Sequence, residues 1–111
     1  MQSEPQELRE YVTARGKNPF RQWIRSLRSQ RDAARIRVRL NRLRLGNFGD
    51  AKLLGDGIHE LRLHFGPGYR IYFGRDGRTV VLLLHGGNKG SQAKDIERAR
   101  RYWIDYRERS S

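Results

Sequence analysis

The sequence predicts one α+β domain, in the order strand, two helices, three antiparallel strands, helix. Three observations carry this. The stretch "IHELRLHF" (58–65) alternates apolar and polar residues with the period of a strand. Apolar residues recur at helical spacing in 20–27, 33–43 and 96–106. Between two further apolar runs, "RDGR" (75–78) places Asp76-Gly77 where a tight hairpin turn belongs. Helices kept apart from a run of sequential strands mark the α+β class. No repeat or linker divides the chain, so residues 1–111 are expected to form a single domain.

The elements follow in order. "LREYVT" (8–13) alternates as a short strand, with Leu8 and Val12 on one face. Asn18 followed by Pro19 reads as an N-cap with proline at the first helical position. Phe20, Trp23, Ile24 and Leu27 then form the apolar stripe of a first helix. Residues 32–45 alternate like a strand at Ile36, Val38 and Leu40, yet also offer Ala33, Ile36, Leu40 and Leu43 at helical spacing. Length, alanines and the lack of turn residues favour a helix, with Arg35, Arg39 and Arg42 along its outer stripe. Residues 46–57 read as a loop. Strands follow over Ile58–Phe65, Tyr69–Phe73 and Thr79–His85, the last apolar on both faces and therefore central. Ser91 is placed to cap a final helix whose Ile96, Ala99, Trp103 and Tyr106 share a face.

Charge is the dominant feature of composition. Lys and Arg number 24 against 12 acidic residues, a net charge of +12, and since only Lys17, Lys52, Lys89 and Lys94 are lysine, 20 are arginine. The guanidinium fork binds phosphate in bidentate fashion and stacks on bases. This balance points to a nucleic-acid partner, an acidic protein partner, or both. The chain lacks cysteine, which excludes disulfides and thiolate chemistry and suits a reducing cytoplasm. No apolar run approaches a membrane span, and no leader pattern is visible, so a cytoplasmic location and no membrane partner are expected.

Arg70 stands out on a strand otherwise made of Tyr69, Ile71, Tyr72 and Phe73. Alternation puts Tyr69, Ile71 and Phe73 on the core face, and Arg70 and Tyr72 on the other. On the preceding strand Glu60, Arg62 and His64 face away from Leu61 and Leu63. Hairpin pairing then gathers Arg62, His64, Arg70 and Tyr72 on one sheet face, with Glu60 beside them and Lys89 of the "GGNKG" loop at the rim. Like charges so placed repel unless an anion lies between them, and a phosphoryl group is that anion. Cationic donors stabilise the charge that grows on it while a neighbouring 2′-hydroxyl attacks. His64, Glu60 and Lys89 are the candidates for proton transfer, and Tyr72 for stacking a base. The competing structural reading pairs Arg62 and Arg70 with carboxylates such as Glu60 and Asp76. No nucleotide-triphosphate loop is present, and the scattered His59, His64 and His85 argue against a metal; no cofactor is expected.

At these residues the sequence resembles the RelE/ParE superfamily of type II toxins, in particular the phage-derived, HigB-like "addiction module killer protein" branch. "ELRLHFGPGYRIYF" and "LLLHGGNKGSQAKDI" carry the resemblance, and "NPFRQWIRSL" extends it over nearly the whole chain. It implies a RelE-like β-α-α-β-β-β-α fold, a twisted antiparallel sheet flanked by two N-terminal helices and a C-terminal helix. It also implies a cognate antitoxin, often DNA-binding, and metal-free cleavage of mRNA on the ribosome. The basic chain implies an acidic antitoxin contact surface. By position, Arg70 matches the arginine of the family's "GYR" strand, Arg62 the basic residue before it, and Lys89 the basic residue after the last strand. The catalytic tyrosine of RelE near the start of the last helix has no counterpart, since "AKDI" puts Asp95 or Ile96 there. The expected catalytic set is Arg62, Arg70, His64 and Lys89. The expected RNA-contacting set is Glu60, Tyr72, Arg35, Arg39, Arg42 and Lys94. A ParE-like gyrase inhibitor and an RNA-binding module without cleavage are the alternatives.

Overall fold

A computed structural model describes residues 3–110. Its elements are β1 (Glu7–Glu10), α1 (Pro19–Ser26), α2 (Gln30–Arg44), β2 (Ala51–Gly55), β3 (Ile58–Leu63), β4 (Tyr69–Asp76), β5 (Val80–Asn88), a 3₁₀ turn (Lys89–Ser91) and α3 (Gln92–Ser110). The strands form one mixed sheet in the order β1-β5-β4-β3-β2. The architecture is α+β, with three helices against a five-stranded sheet, as the sequence predicts.

Local signals set the helices. The Asn18 side chain accepts the Arg21 N–H at 3.0 Å with Pro19 following, and Ser29 caps α2 by accepting the Asp32 N–H at 3.0 Å. Residues 30–44 are helical throughout, and α2 buries Ala33, Ile36, Leu40 and Leu43 while Val38 is exposed. The strand-like alternation there loses because only the helical stripe meets the sheet. Asn88 caps the 3₁₀ turn one turn before Ser91, and the two close a reciprocal capping box, so Ser91 shares the capping role expected of it alone.

Two features lie beyond the sequence pattern. Residues 51–55, expected as loop, form edge strand β2, antiparallel to β3. Its pairing is made by backbone groups, and Leu53 stays exposed, so side-chain alternation carries no signal. β1 pairs parallel to β5 rather than antiparallel, with Leu8 opposite Val81. It ends at Glu10, so Tyr11 takes the inward position and Val12 faces out. The Tyr11 ring stacks on Tyr102 with centroids 5.0 Å apart.

Each sheet face has its own core. Under α1 and α2 lie Leu61, Leu63, Tyr69, Ile71, Phe73, Val81 and Leu83. Under α3 lie Ile58, Tyr72, Leu82 and Leu84, packed on Ala99 and Trp103. Trp103 lies flat on the sheet because Gly74 has no side chain; a Cβ there would come within 2.3 Å of the indole. The α3 face is therefore covered over most of its length, and opens at the end beyond the helix N-terminus, where Gln92 meets Glu60 and Arg62 is partly exposed.

Candidate functional site

The register of β3 and β4 puts Arg62 directly opposite Arg70, on the α3 face, at its open end. Like charges in that relation destabilise a sheet unless something compensates. Arg62 is compensated: its Nε donates to Glu60 Oε1 at 3.0 Å. Gln92, first residue of α3, donates to the other oxygen, Oε2, at 2.8 Å. Glu60 is fully buried. Burial by itself raises its pKa, but the hydrogen bonds from Gln92 and Arg62 outweigh that and hold the carboxyl below the ordinary value of 4.5. Arg70 has no such partner. Its Nη1 donates to the carbonyls of Gly68 at 3.1 Å and Tyr69 at 3.2 Å, and among the described residues it forms no ion pair. Asp76, the other carboxylate considered, instead accepts from the Tyr106 hydroxyl at 2.8 Å.

A pH prediction follows from Glu60. A carboxyl whose folded pKa is depressed stabilises fully above its unfolded value and loses that contribution as pH falls through the folded one. The thermal midpoint of the protein should therefore drop on acidification below pH 4.5, and Glu60→Gln should flatten that part of the curve. An identical acid profile in the variant would place the sensitivity elsewhere.

Lys89 is presented by a hydrogen-bonded scaffold. Asn88 Oδ1 accepts the Ser91 N–H at 3.1 Å, and Ser91 Oγ accepts the Asn88 N–H at 3.2 Å. The Ser91 hydroxyl then donates to Asp95 Oδ2 at 2.5 Å, while Asp95 Oδ1 lies 3.0 Å from His85 Nε2. Burial pushes the His85 pKa down despite the pull of Asp95, so a neutral ring donating from Nε2 fits the contact. A Cβ at Gly87 would lie 1.8 Å from Asp95 Oδ2, which is why the strand carries glycine there. Ser91, Asp95 and His85 thus fill a structural role, with aspartate between the other two rather than histidine, unlike a nucleophilic triad. The exposed Lys89 lies beside Arg70: a side chain at Gly68 would meet Arg70 Nη1 at 3.4 Å and Lys89 Cβ at 3.5 Å.

On the other side of Arg62 the sheet edge meets α2 in a cleft of about 550 Å³. Arg35, Arg39, Arg42, Arg62 and His64 line it, with Asp50 as its carboxylate. His64 Nε2 lies 2.5 Å from Asp50 Oδ2. The hydrogen bond from His64, the largest influence, and the positive charges of Arg62 and Arg70 hold the Asp50 pKa below its ordinary value. Arg35 stacks on the Phe65 ring at 4.0 Å.

The structure thus brings Arg62, His64, Arg35, Arg39 and Arg42 to one cleft, and Arg70 with Lys89 to its neighbour. It separates others. Tyr72 is wholly buried beneath α3, and burial together with the Glu60 charge raises its pKa, so it cannot stack a base as expected. Glu60 is buried and engaged at both oxygens, which fits a brace for Arg62 rather than an RNA contact or a proton acceptor. Arg39 donates to the carbonyls of Asn47 and Phe48, so it braces the loop before β2. Lys94 is exposed on the first turn of α3. Sequence reading missed Asp50, Gln92 and the Asp95 network. Of these only Asp95 had a local signal, in the Ser-x-x-x-Asp spacing that puts both residues on one helix face. Among the described residues no group of three or more His, Asp or Glu side chains is placed to hold a metal ion.

A sheet with a helical pair on one face, a single helix on the other and a cationic open end is the layout of a RelE-like domain. Residues 22–103 match the model of the family described as "Phage derived protein Gp49-like (DUF891)". The chain belongs to this family, one of RelE/HigB-like toxins, and the match spans every residue of the site. It is also similar to an uncharacterized protein of Haemophilus influenzae, 46% identical over 81 residues, which cover 73% of this chain and 82% of that protein. Membership makes the chain toxin-like and points to an antitoxin as a partner. Among the described residues no helix is long and apolar enough to cross a membrane.

Proposed function

We propose that this protein is the toxin of a type II toxin–antitoxin system of the addiction-module killer branch. In this reading it arrests translation in the cytoplasm by cutting mRNA on the ribosome. One observation carries it: Arg70 stands opposite Arg62 and, among the described residues, has no carboxylate of its own, leaving a place for an anion. A phosphodiester fits there, with Lys89 beside it. The 2′-hydroxyl oxygen attacks the adjacent phosphorus while His64 takes its proton. The P–O5′ bond breaks, Lys89 supplies a proton to the leaving 5′-oxygen, and the products are a 2′,3′-cyclic phosphate and a 5′-hydroxyl. Arg62 and Arg70 stabilise the charge on the phosphoryl oxygens in the transition state. The exposed arginines Arg35 and Arg42 hold flanking phosphates. No metal or other cofactor enters these steps. The excess of 12 positive charges favours an acidic contact surface on the antitoxin, with fast association at low salt.

The test is to induce the chain in cells and map mRNA 5′ ends, with and without stalled ribosomes. New 5′-hydroxyl ends in translated message are expected. Intact message with a DNA-damage response would favour a gyrase inhibitor on the same fold. Intact message with RNA binding whose logarithm falls by about 0.7 per phosphate with the logarithm of salt would favour a binding module.

A further inference from the structure

The carboxylate in the cationic cleft is held there from several directions. Asp50 O accepts the Arg62 N–H at 2.9 Å, and the Ala51 N–H turns back to Gly49 O at 3.0 Å. Before it, Arg39 of α2 holds the carbonyl of Asn47 at 3.2 Å and that of Phe48. The backbone at Asp50 is thereby tied to α2 and to β3, and its side chain reaches His64, 14 residues on in sequence. Charged groups bear on it from three elements: Arg39 from α2, Arg62 from β3 and Arg70 from β4. All favour the ionised form, which only accepts hydrogen bonds. An acceptor-only partner at Nε2 requires the proton of a neutral imidazole to sit on Nε2. The other ring nitrogen, Nδ1, is then an open lone pair.

From this juxtaposition we infer that Asp50 is a positioning residue that fixes the ring and tautomer of His64, so that Nδ1 accepts the proton of the attacking 2′-hydroxyl. The inference rests on the nuclease reading for the identity of that proton. It assigns to a residue outside the strands the orienting part that the sheet cannot supply, because His64 lies just past the end of β3 and is itself exposed. The balance is simple: the 2′-oxygen loses its proton to Nδ1 as it bonds to phosphorus, and Asp50 stays ionised throughout, bound to Nε2–H.

Two measurements on the full chain test it. In ribosome-dependent cleavage of a short message, Asp50→Ala should lower kcat about tenfold or more, a part of the 100- to 10,000-fold that proton transfer supplies. KM should hardly move. In a chain already carrying His64→Ala, the same change should cost less than about twofold, because a group acting only through His64 has nothing left to act on. Equal losses with and without His64 would overturn the inference. So would a rise in activity or RNA affinity in Asp50→Ala, which would mean that the carboxylate merely occupies the place of a phosphate. The second measurement needs no cleavage. The ¹⁵N shifts of the His64 ring should report the Nε2–H tautomer in the parent chain and a mixture in Asp50→Ala, and a mixture in the parent overturns the inference. A parent chain that holds the single tautomer yet never cuts message leaves the positioning intact and removes the nuclease reading instead.

Discussion

Arg70→Ala should abolish growth arrest and slow mRNA cleavage about 100- to 1,000-fold, the scale seen when one preorganised donor to a developing oxyanion is lost. The size follows from placement. Arg62 is neutralised by a buried carboxylate, whereas among the described residues Arg70 is held by backbone carbonyls and keeps its charge for a ligand. Arg70→Lys should recover a small part, because an ammonium offers a point charge in place of a planar fork. Folding should be unharmed. The variant loses two side-chain bonds to backbone oxygens but also relieves the repulsion across the β3–β4 ladder. Its thermal midpoint should therefore match or exceed that of the parent, measured by circular dichroism beside the growth assay. A well-folded Arg70→Ala chain that still cuts message at the parent rate would refute the assignment.

Trp103→Ala should produce the largest loss of stability, roughly 3–5 kcal/mol, as for other large aromatic truncations in cores. Against the 5–15 kcal/mol typical of a whole domain, that is a large share. The indole is 4% exposed, lies over Gly74 and donates from Nε1 to the Asp56 carbonyl at 2.6 Å. Tyr106 stacks beside it with centroids 5.7 Å apart. Alanine would leave a cavity over a glycine, where the sheet has no side chain to fill it. Trp103→Phe should cost less, since the ring is kept and the hydrogen bond lost. Urea unfolding provides the measurement; a change below about 1 kcal/mol would mean that α3 is not held through this residue. The effect should reach the site, because α3 also carries Gln92, which braces Glu60 and through it Arg62.

The sequence was legible wherever a short period carried the information. Alternation in β3 and β4 placed Arg62 and Arg70 on one side and Leu61, Leu63, Ile71 and Phe73 on the other, and the cross-strand register agrees. His64, expected with the two arginines, lies past the end of β3 and lines the cleft against α2 instead. Helical spacing named the buried residues of α2 against a competing strand pattern. It could not reveal β2, whose evidence is backbone pairing, nor the parallel direction of β1, which meets β5 from some seventy residues away.

What the sequence by itself determined is the composition of each face: which residues point together, and that one face gathers more cations than a sheet tolerates unaided. The reason is that side-chain direction follows from backbone geometry within a few residues. Only the tertiary structure decided which members of that face stay open. α3, arriving from the far end of the chain, covers Tyr72 and Glu60 and stops short of Arg70, while a loop brings Asp50 to His64. Exposure and pairing depend on what distant segments bring against a surface, and no local period encodes that.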